Sequence, residues 1–235
     1  MYSKFLLGML KESAMAEEVV LLDFWASPYG MRLRIALAEK GVKYEHREED
    51  LRRKSHLLLQ MNPLHKTIPV LIHNGKPVCE SLIAVQYVDE TWPGASPLLP
   101  ADPYARSEAM FWAEFVDRKI YDVGKKMLFA AGEEQATMKE EFIACLKKLE
   151  EALGEKDFFG GEEMGVVDVA FVPLYCWFDT FERCVDVKVK EVCPRICAWC
   201  ERCMQKESVS KSLPHPHSVY HYASFLRKEV LSPLA

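Results

Sequence analysis

The nine residues Trp92-Pro93-Gly94-Ala95-Ser96-Pro97-Leu98-Leu99-Pro100 hold three prolines and a glycine, and neither helix nor strand continues through such a run. The chain therefore folds in two parts, and the patterns on the two sides differ. Upstream, short elements alternate. Val19–Trp25 is apolar and β-favouring with Asp23 as its one polar residue, the pattern of a buried central strand. Ser27-Pro28 then opens a helix, with Ser at the N-cap and Pro in the first turn. Tyr29, Leu33, Ala36 and Leu37 form its apolar stripe, and Gly41 closes it.

Tyr44–Glu48 is polar enough for an edge strand, and Lys54–Met61 is a short helix ended by Asn62-Pro63. Pro69–His73 and Pro77–Glu80 flank Asn74-Gly75, the favoured two-residue hairpin turn. Ser81 is placed as the cap of a last helix carrying Leu82, Val85 and Val88 inward. The order β-α-β-α-β-β-α predicts a small mixed sheet with helices on it, an α+β thioredoxin-like domain over residues 16–92.

After a linker at 93–101, only helical periodicity is visible. Asp102-Pro103 opens a long helix with Phe111, Phe115, Tyr121 and Val123 among its apolar positions. Met138, Phe142, Leu146, Leu149 and Leu153 stripe a second helix, ended by Gly154. Gly165-Val166-Val167-Asp168 starts a third, predicted to run through Phe178 and to be buried all round. Pro194–Lys206 and Val219–Glu229 supply two more, giving an all-α domain over 102–230.

Composition narrows the function. The 235 residues are 49% hydrophobic and 28% charged, which excludes wholesale disorder. No apolar run is long enough for a membrane span, and the net charge of −5 argues against a nucleic-acid partner. Eight cysteines are too sparse for a disulfide scaffold. Cys193, Cys197, Cys200 and Cys203 invite a zinc site, but they fall on a helical stretch, where buried thiols acting as small apolar side chains account for them better. Reduced thiols point to the cytosol. Met1–Ala14 imitates a secretory leader with too short an apolar stretch, so residues 1–15 are taken as an extension before an internal start at Met15.

Three places carry chemistry. Ser27 sits at a helix mouth, where unpaired N–H groups favour negative charge, and its hydroxyl is able to donate to a thiolate; as a plain N-cap it needs no ligand. Ile68-Pro69 opens a strand, and a cis bond there exposes the Ile68 backbone to an extended peptide. Glu80 and Ser81, at a strand end and helix start, suit an ammonium and a carboxylate, and Lys54 suits a second carboxylate. Together they describe a peptide with a thiol and charged ends.

The run Asp23-Phe24-Trp25-Ala26-Ser27-Pro28-Tyr29, with Lys54-Ser55, Asn62-Pro63, His65–Gly75, Cys79-Glu80-Ser81 and Tyr87–Trp92, resembles glutathione transferases, the plant tau class in particular. The likeness extends from Ala16 to about Lys228. It implies Ser27 as catalytic residue, Lys54, Ile68, Glu80 and Ser81 as glutathione contacts, and Phe24, Tyr121, Trp177 and Tyr222 as the wall of a hydrophobic-substrate pocket. It marks Asp168 as a helix-capping aspartate and Gly165 as a departure from the usual Ser or Thr. Lys125 stands where some relatives have arginine. Relatives that form mixed disulfides carry Cys at the Ser27 position. The implied activity is conjugation of glutathione, a co-substrate and not a resident cofactor, to small hydrophobic electrophiles, with peroxide reduction beside it. The implied assembly is a homodimer with no membrane or nucleic-acid partner. A non-catalytic carrier of hydrophobic ligands and a glutathione-dependent reductase using one of the eight cysteines, of which Cys79 is nearest the site but expected to face the sheet interior, are the alternatives.

Overall fold

The computed structural model describes residues 17–94 and 96–232, so the extension expected over residues 1–15 lies outside them. Among the described residues four strands form one sheet. Strand β1 (Val19–Asp23) is buried at every position and pairs in parallel with β2 (Glu45–Glu48) and antiparallel with β3 (Val70–His73). Strand β4 (Lys76–Cys79) returns along β3, giving the order β2-β1-β3-β4, with exposed β2 at the edge as predicted. Side chains alternate across a sheet, so β1 serves two cores. Val19 and Leu21 pack with helices α1 (Pro28–Glu39) and α3 (Ser81–Thr91), while Val20 and Leu22 meet Leu58 of α2 (His56–Met61) on the other face.

Helix starts follow their local signals with one correction. Ser27 accepts from the Gly30 amide at 3.2 Å and Ser55 from Leu58 at 3.0 Å, both as N-caps. Ser81, expected as the cap of α3, is instead its first helical residue, and Glu80 stands at the cap. The Ser81 hydroxyl accepts from the Arg32 guanidinium at 2.9 Å, and a charged donor is a stronger partner than the helix's own N–H. Gly30 lets α1 lie close to β1: a Cβ there would come within 1.6 Å of Asp23 Oδ1.

The proline-rich segment is tied down by a buried carboxylate. Asp89 accepts from the amides of Leu98 at 2.7 Å and Leu99 at 3.0 Å and pairs with Lys40 at 2.6 Å. Beyond it, α4 (Pro103–Phe115) passes through a π-helical turn at Val116–Tyr121 into α5 (Asp122–Phe129). Helix α6 (Gly132–Leu153) buries Phe142, Leu146, Leu149 and Leu153 and ends at Gly154, as predicted. Phe111 departs from expectation, its side chain lying on the exposed face of α4.

The predicted third helix is divided. It starts as α7 (Val166–Phe171), tightens to 3-10 geometry over Val172–Trp177, and resumes as α8 (Phe178–Val185). Pro173 has no N–H for an α-helical bond, which accounts for the break. Nor is it buried all round, since Trp177 and Phe178 are half-buried. Helices α9 (Val189–Val192), α10 (Pro194–Met204), α11 (Glu207–Ser210) and α12 (Pro216–Leu231) follow. Cys193, Cys197, Cys200 and Cys203 are buried, and burial pushes all four thiols up, Cys193 to about 12. They fill the core as apolar side chains.

Asp168 organises the start of α7. Its carboxylate accepts from the amides of Phe159, Gly160 and Gly165 at 2.8, 3.0 and 2.8 Å and from Trp199 Nε1 at 2.7 Å. Gly165 supplies no side-chain cap, and a Cβ there would press to 3.3 Å on both Gly160 Cα and Leu98 O. The carboxylate half of the cap thus stands alone. Asp168→Ala leaves the buried Trp199 indole N–H and three part-buried amides without their acceptor and is expected to cost about 2–3 kcal/mol. A lowered urea midpoint checks this; an unchanged midpoint contradicts the assigned role.

Candidate active site

Two adjoining cavities open where the sheet domain faces the helices. The larger, about 460 Å³, is lined by Ser27, Lys54 and Ile68 on the sheet side. Phe24, Tyr121, Trp177 and Tyr222 line the rest of that cavity, together with Lys125. The smaller, about 210 Å³, is lined by Tyr29, Thr67, Ile68, Pro69, Glu80 and Ser81. Tyr29, Thr67 and Ile68 border both. All nine residues singled out from the sequence meet here, the polar ones split between the cavities and the four aromatics confined to the larger.

Ser27 is buried, 7% exposed, in extended conformation just ahead of α1. Its hydroxyl accepts from Gly30, and among the described residues it donates to nothing. A proton is therefore free for a ligand atom, beside the Tyr29 amide: Pro28 has no N–H, and Gly30 and Met31 donate to Ser27 itself. The positive end of the α1 dipole adds to the preference for an anion.

The Ile68-Pro69 bond is cis, as the sequence context leads one to expect. The turn before it is held by Asn62, which donates to Thr67 O at 3.0 Å and accepts from the His65 amide at 3.1 Å. Glu80 has φ +68°, a left-handed conformation uncommon for a non-glycine residue, at the junction of β4 and α3. Such strain costs about 1–3 kcal/mol and clusters at binding sites. It leaves the Glu80 carboxylate largely exposed, with His65 at 4.0 Å.

Arg32 has no counterpart among the sequence-predicted site residues. It is fully buried on α1, donating Nε to Ala170 O at 3.0 Å, one terminal nitrogen to Ser81 Oγ at 2.9 Å and the other to Asp117. Its guanidinium lies 5.1 Å from the Tyr29 ring centre and 4.8 Å from that of Tyr121. Burial opposes the charge, and the neighbouring Tyr121 and Asp117 outweigh it, so the group is held protonated above its ordinary range. One residue thus links Ser81, the π-helical turn that carries Tyr121, and α7. The sequence signal is slight: a charged residue between Met31 and Leu33 on a helix that buries both.

Burial pushes the Tyr29 phenol up to about 12, so it stays protonated at neutral pH. Its ring is held against Tyr121, with centres 5.3 Å apart, and over Arg32. Phe24 and Tyr222 pack at 5.3 Å across the other side of the cavity. Cys79, the thiol nearest the site in sequence, bonds Met61 O at 3.7 Å, and burial pushes it up as well. Reactive thiols are lowered, not raised, which weighs against a reductase built on Cys79.

Known proteins share the two-domain build. Residues 17–90 match the family model "Glutathione S-transferase, N-terminal domain", and residues 110–207 match "Glutathione S-transferase, C-terminal domain". The chain is 56% identical over 214 residues to "Probable glutathione S-transferase parC" of Nicotiana tabacum, covering 91% of this chain and 97% of that one. It is 55% identical to "Glutathione S-transferase U19" of Arabidopsis thaliana, covering 92% and 98%. Among solved structures, rice GST1 in complex with glutathione superposes with a TM-score of 0.87 at 50% identity, covering 91% of this chain and 97% of the rice chain. A tau class glutathione S-transferase from mango superposes with a TM-score of 0.84 at 40% identity, covering 89% and 98%. Matches this long, over a sheet domain and a helical domain that share one cleft, leave one conclusion: the chain belongs to the glutathione S-transferase family, within the plant tau class.

Proposed function

We propose that this chain is a serine-type glutathione transferase, holding glutathione across the smaller cavity with its sulfur beside the Ser27 hydroxyl. The observation that carries this reading is the unengaged Ser27 proton at the mouth of α1, on the border of an aromatic-walled cavity. The Ile68 backbone pairs with the peptide. Ser81 and the first amides of α3 hold its α-carboxylate, Glu80 holds the ammonium, and Lys54 holds the carboxylate at the other end.

A free thiol of pKa about 8.5 is a few per cent thiolate at pH 7. Ser27 stays protonated and donates to the sulfur, while the α1 dipole favours its charge, so the thiol proton leaves to solvent. The thiolate forms an S–C bond with an electrophilic carbon and a leaving group such as halide departs with the electron pair. Phe24, Tyr121, Trp177 and Tyr222 hold the electrophile at bonding distance. A peroxide in the same position is reduced as the sulfur is oxidised, a side activity of the same thiolate.

The proposed division of labour assigns residues 16–92 to glutathione and 102–230 to the hydrophobic partner. A two-fold homodimer in the cytosol completes the reading; among the described residues no helix is long and apolar enough to cross a membrane. The test is conjugation of an aryl halide with glutathione, measured beside binding of an apolar dye without it. Turnover supports a transferase. Dye binding with no turnover makes the protein a carrier instead.

A further inference from the structure

Helix α12 carries a second cluster of chemistry, outside the cleft. His217 and His221 are exposed, one helical turn apart, with Nε2 atoms 3.1 Å from each other and ring centres 4.2 Å apart. His215, just before them, serves the helix itself, its Nδ1 accepting from the His217 amide at 3.2 Å as the N-cap of α12. The other two cap nothing; among the described residues their ring nitrogens hydrogen-bond only each other. They sit in the first two turns of the helix.

We propose that His217 and His221 form a surface chelate for a divalent transition-metal ion of the kind that imidazole prefers: nickel, copper or zinc. Imidazole nitrogen binds such ions at about 2.0–2.1 Å. Two nitrogens 3.1 Å apart then subtend roughly 100° at a shared metal, between the square-planar and tetrahedral angles. Residues at i and i+4 stand on one face of a helix, so the backbone holds the pair in place before the ion arrives. Both rings are exposed, and the proton shared between their Nε2 atoms has to move, the donating ring shifting its N–H to Nδ1, so that both Nε2 lone pairs face the ion. Among the described residues no third metal-ligating side chain joins them, so water completes the coordination.

The ion would brace the opening turns of the helix whose inner face lends Tyr222 and Leu226 to the larger cavity. The site shares no residue with the glutathione machinery, so it stands or falls independently of the catalytic reading.

The experiment is calorimetric titration of the untagged full chain with nickel chloride at about pH 8, where imidazole ligates as the neutral base. Nickel is chosen because it does not oxidise thiols. One strong site is expected in the parent protein. His217→Gln and His221→Gln each turn a chelate into a single contact and are expected to weaken it about a hundredfold. His56→Gln, at an exposed histidine on α2, should leave it unchanged. Glutamine is a good helix former, and both α12 variants should keep full conjugating activity in metal-free buffer. Nickel bound equally well by the parent and the two α12 variants overturns the proposal. So does a strong site lost in His56→Gln.

Discussion

Ser27→Ala is expected to cut the rate of glutathione conjugation at least about tenfold at neutral pH while leaving glutathione affinity nearly intact. The size follows from the thiol equilibrium. If the bound thiol has a pKa of about 6.5 in the parent and returns to about 8.5 in the variant, the thiolate falls from about nine-tenths to under a tenth at pH 7.4. At pH 6.5 the same change is from one half to about one hundredth. The deficit should therefore grow as pH falls and shrink above about pH 9, where both proteins hold thiolate. A less basic sulfur is a weaker nucleophile, which returns part of the factor, and the hydroxyl's loss of aim on the sulfur takes more away. Affinity is expected to survive because the contacts proposed for Lys54, Ile68, Glu80 and Ser81 hold the peptide elsewhere. A variant with parental turnover across this range contradicts the mechanism.

Arg32→Met should have the largest effect on stability, about 3–5 kcal/mol. Methionine fills similar space but leaves Asp117 without its cation and the Ser81 hydroxyl without its donor, and the Ala170 carbonyl keeps only the Tyr121 hydroxyl of its two side-chain donors. Arg32→Lys should recover little of this, because one ammonium does not reach the three acceptors that a planar guanidinium spans. Glutathione binding should weaken together with stability, since Ser81 loses the partner that orients it. Urea denaturation and glutathione titration check both, and a loss under about 1 kcal/mol would show that the buried charge is not what holds these elements together.

The sheet domain is legible in the sequence because its signals are local. Ser27-Pro28, Asn74-Gly75 and the apolar run Val19–Leu22 each specify a conformation within a few residues and appear where expected, although β1 ends at Asp23, two residues short of the run read to Trp25. Ile68-Pro69 needs context, because nothing in a dipeptide distinguishes its isomers. The helical domain is legible in the repeating stripe of α6 but not in its interruptions. The π-helical turn ahead of α5 has no residue signature, and the apolar pattern runs straight through Pro173 although that residue stops the α-helical bonding. Helices α9 and α11, four residues each, are too short to display a period.

The site divides in the same way. Ser27, Lys54, Ile68, Glu80 and Ser81 stand at element ends, where sequence marks boundaries. Arg32 escapes because its role is tertiary: its three acceptors are 49, 85 and 138 residues away in sequence. The Ser81 hydroxyl departs from its local signal for the same reason, being taken by Arg32 in place of a nearby amide.

The most direct measurement is an ultraviolet titration of the glutathione thiolate bound to the parent protein, Ser27→Ala and Tyr29→Phe. The parent and Tyr29→Phe should ionise the thiol near pH 6.5, and Ser27→Ala near 8.5, about its free value. A parent complex that titrates like free thiol, or a serine variant that titrates like the parent, contradicts the claim that this hydroxyl keeps the sulfur charged.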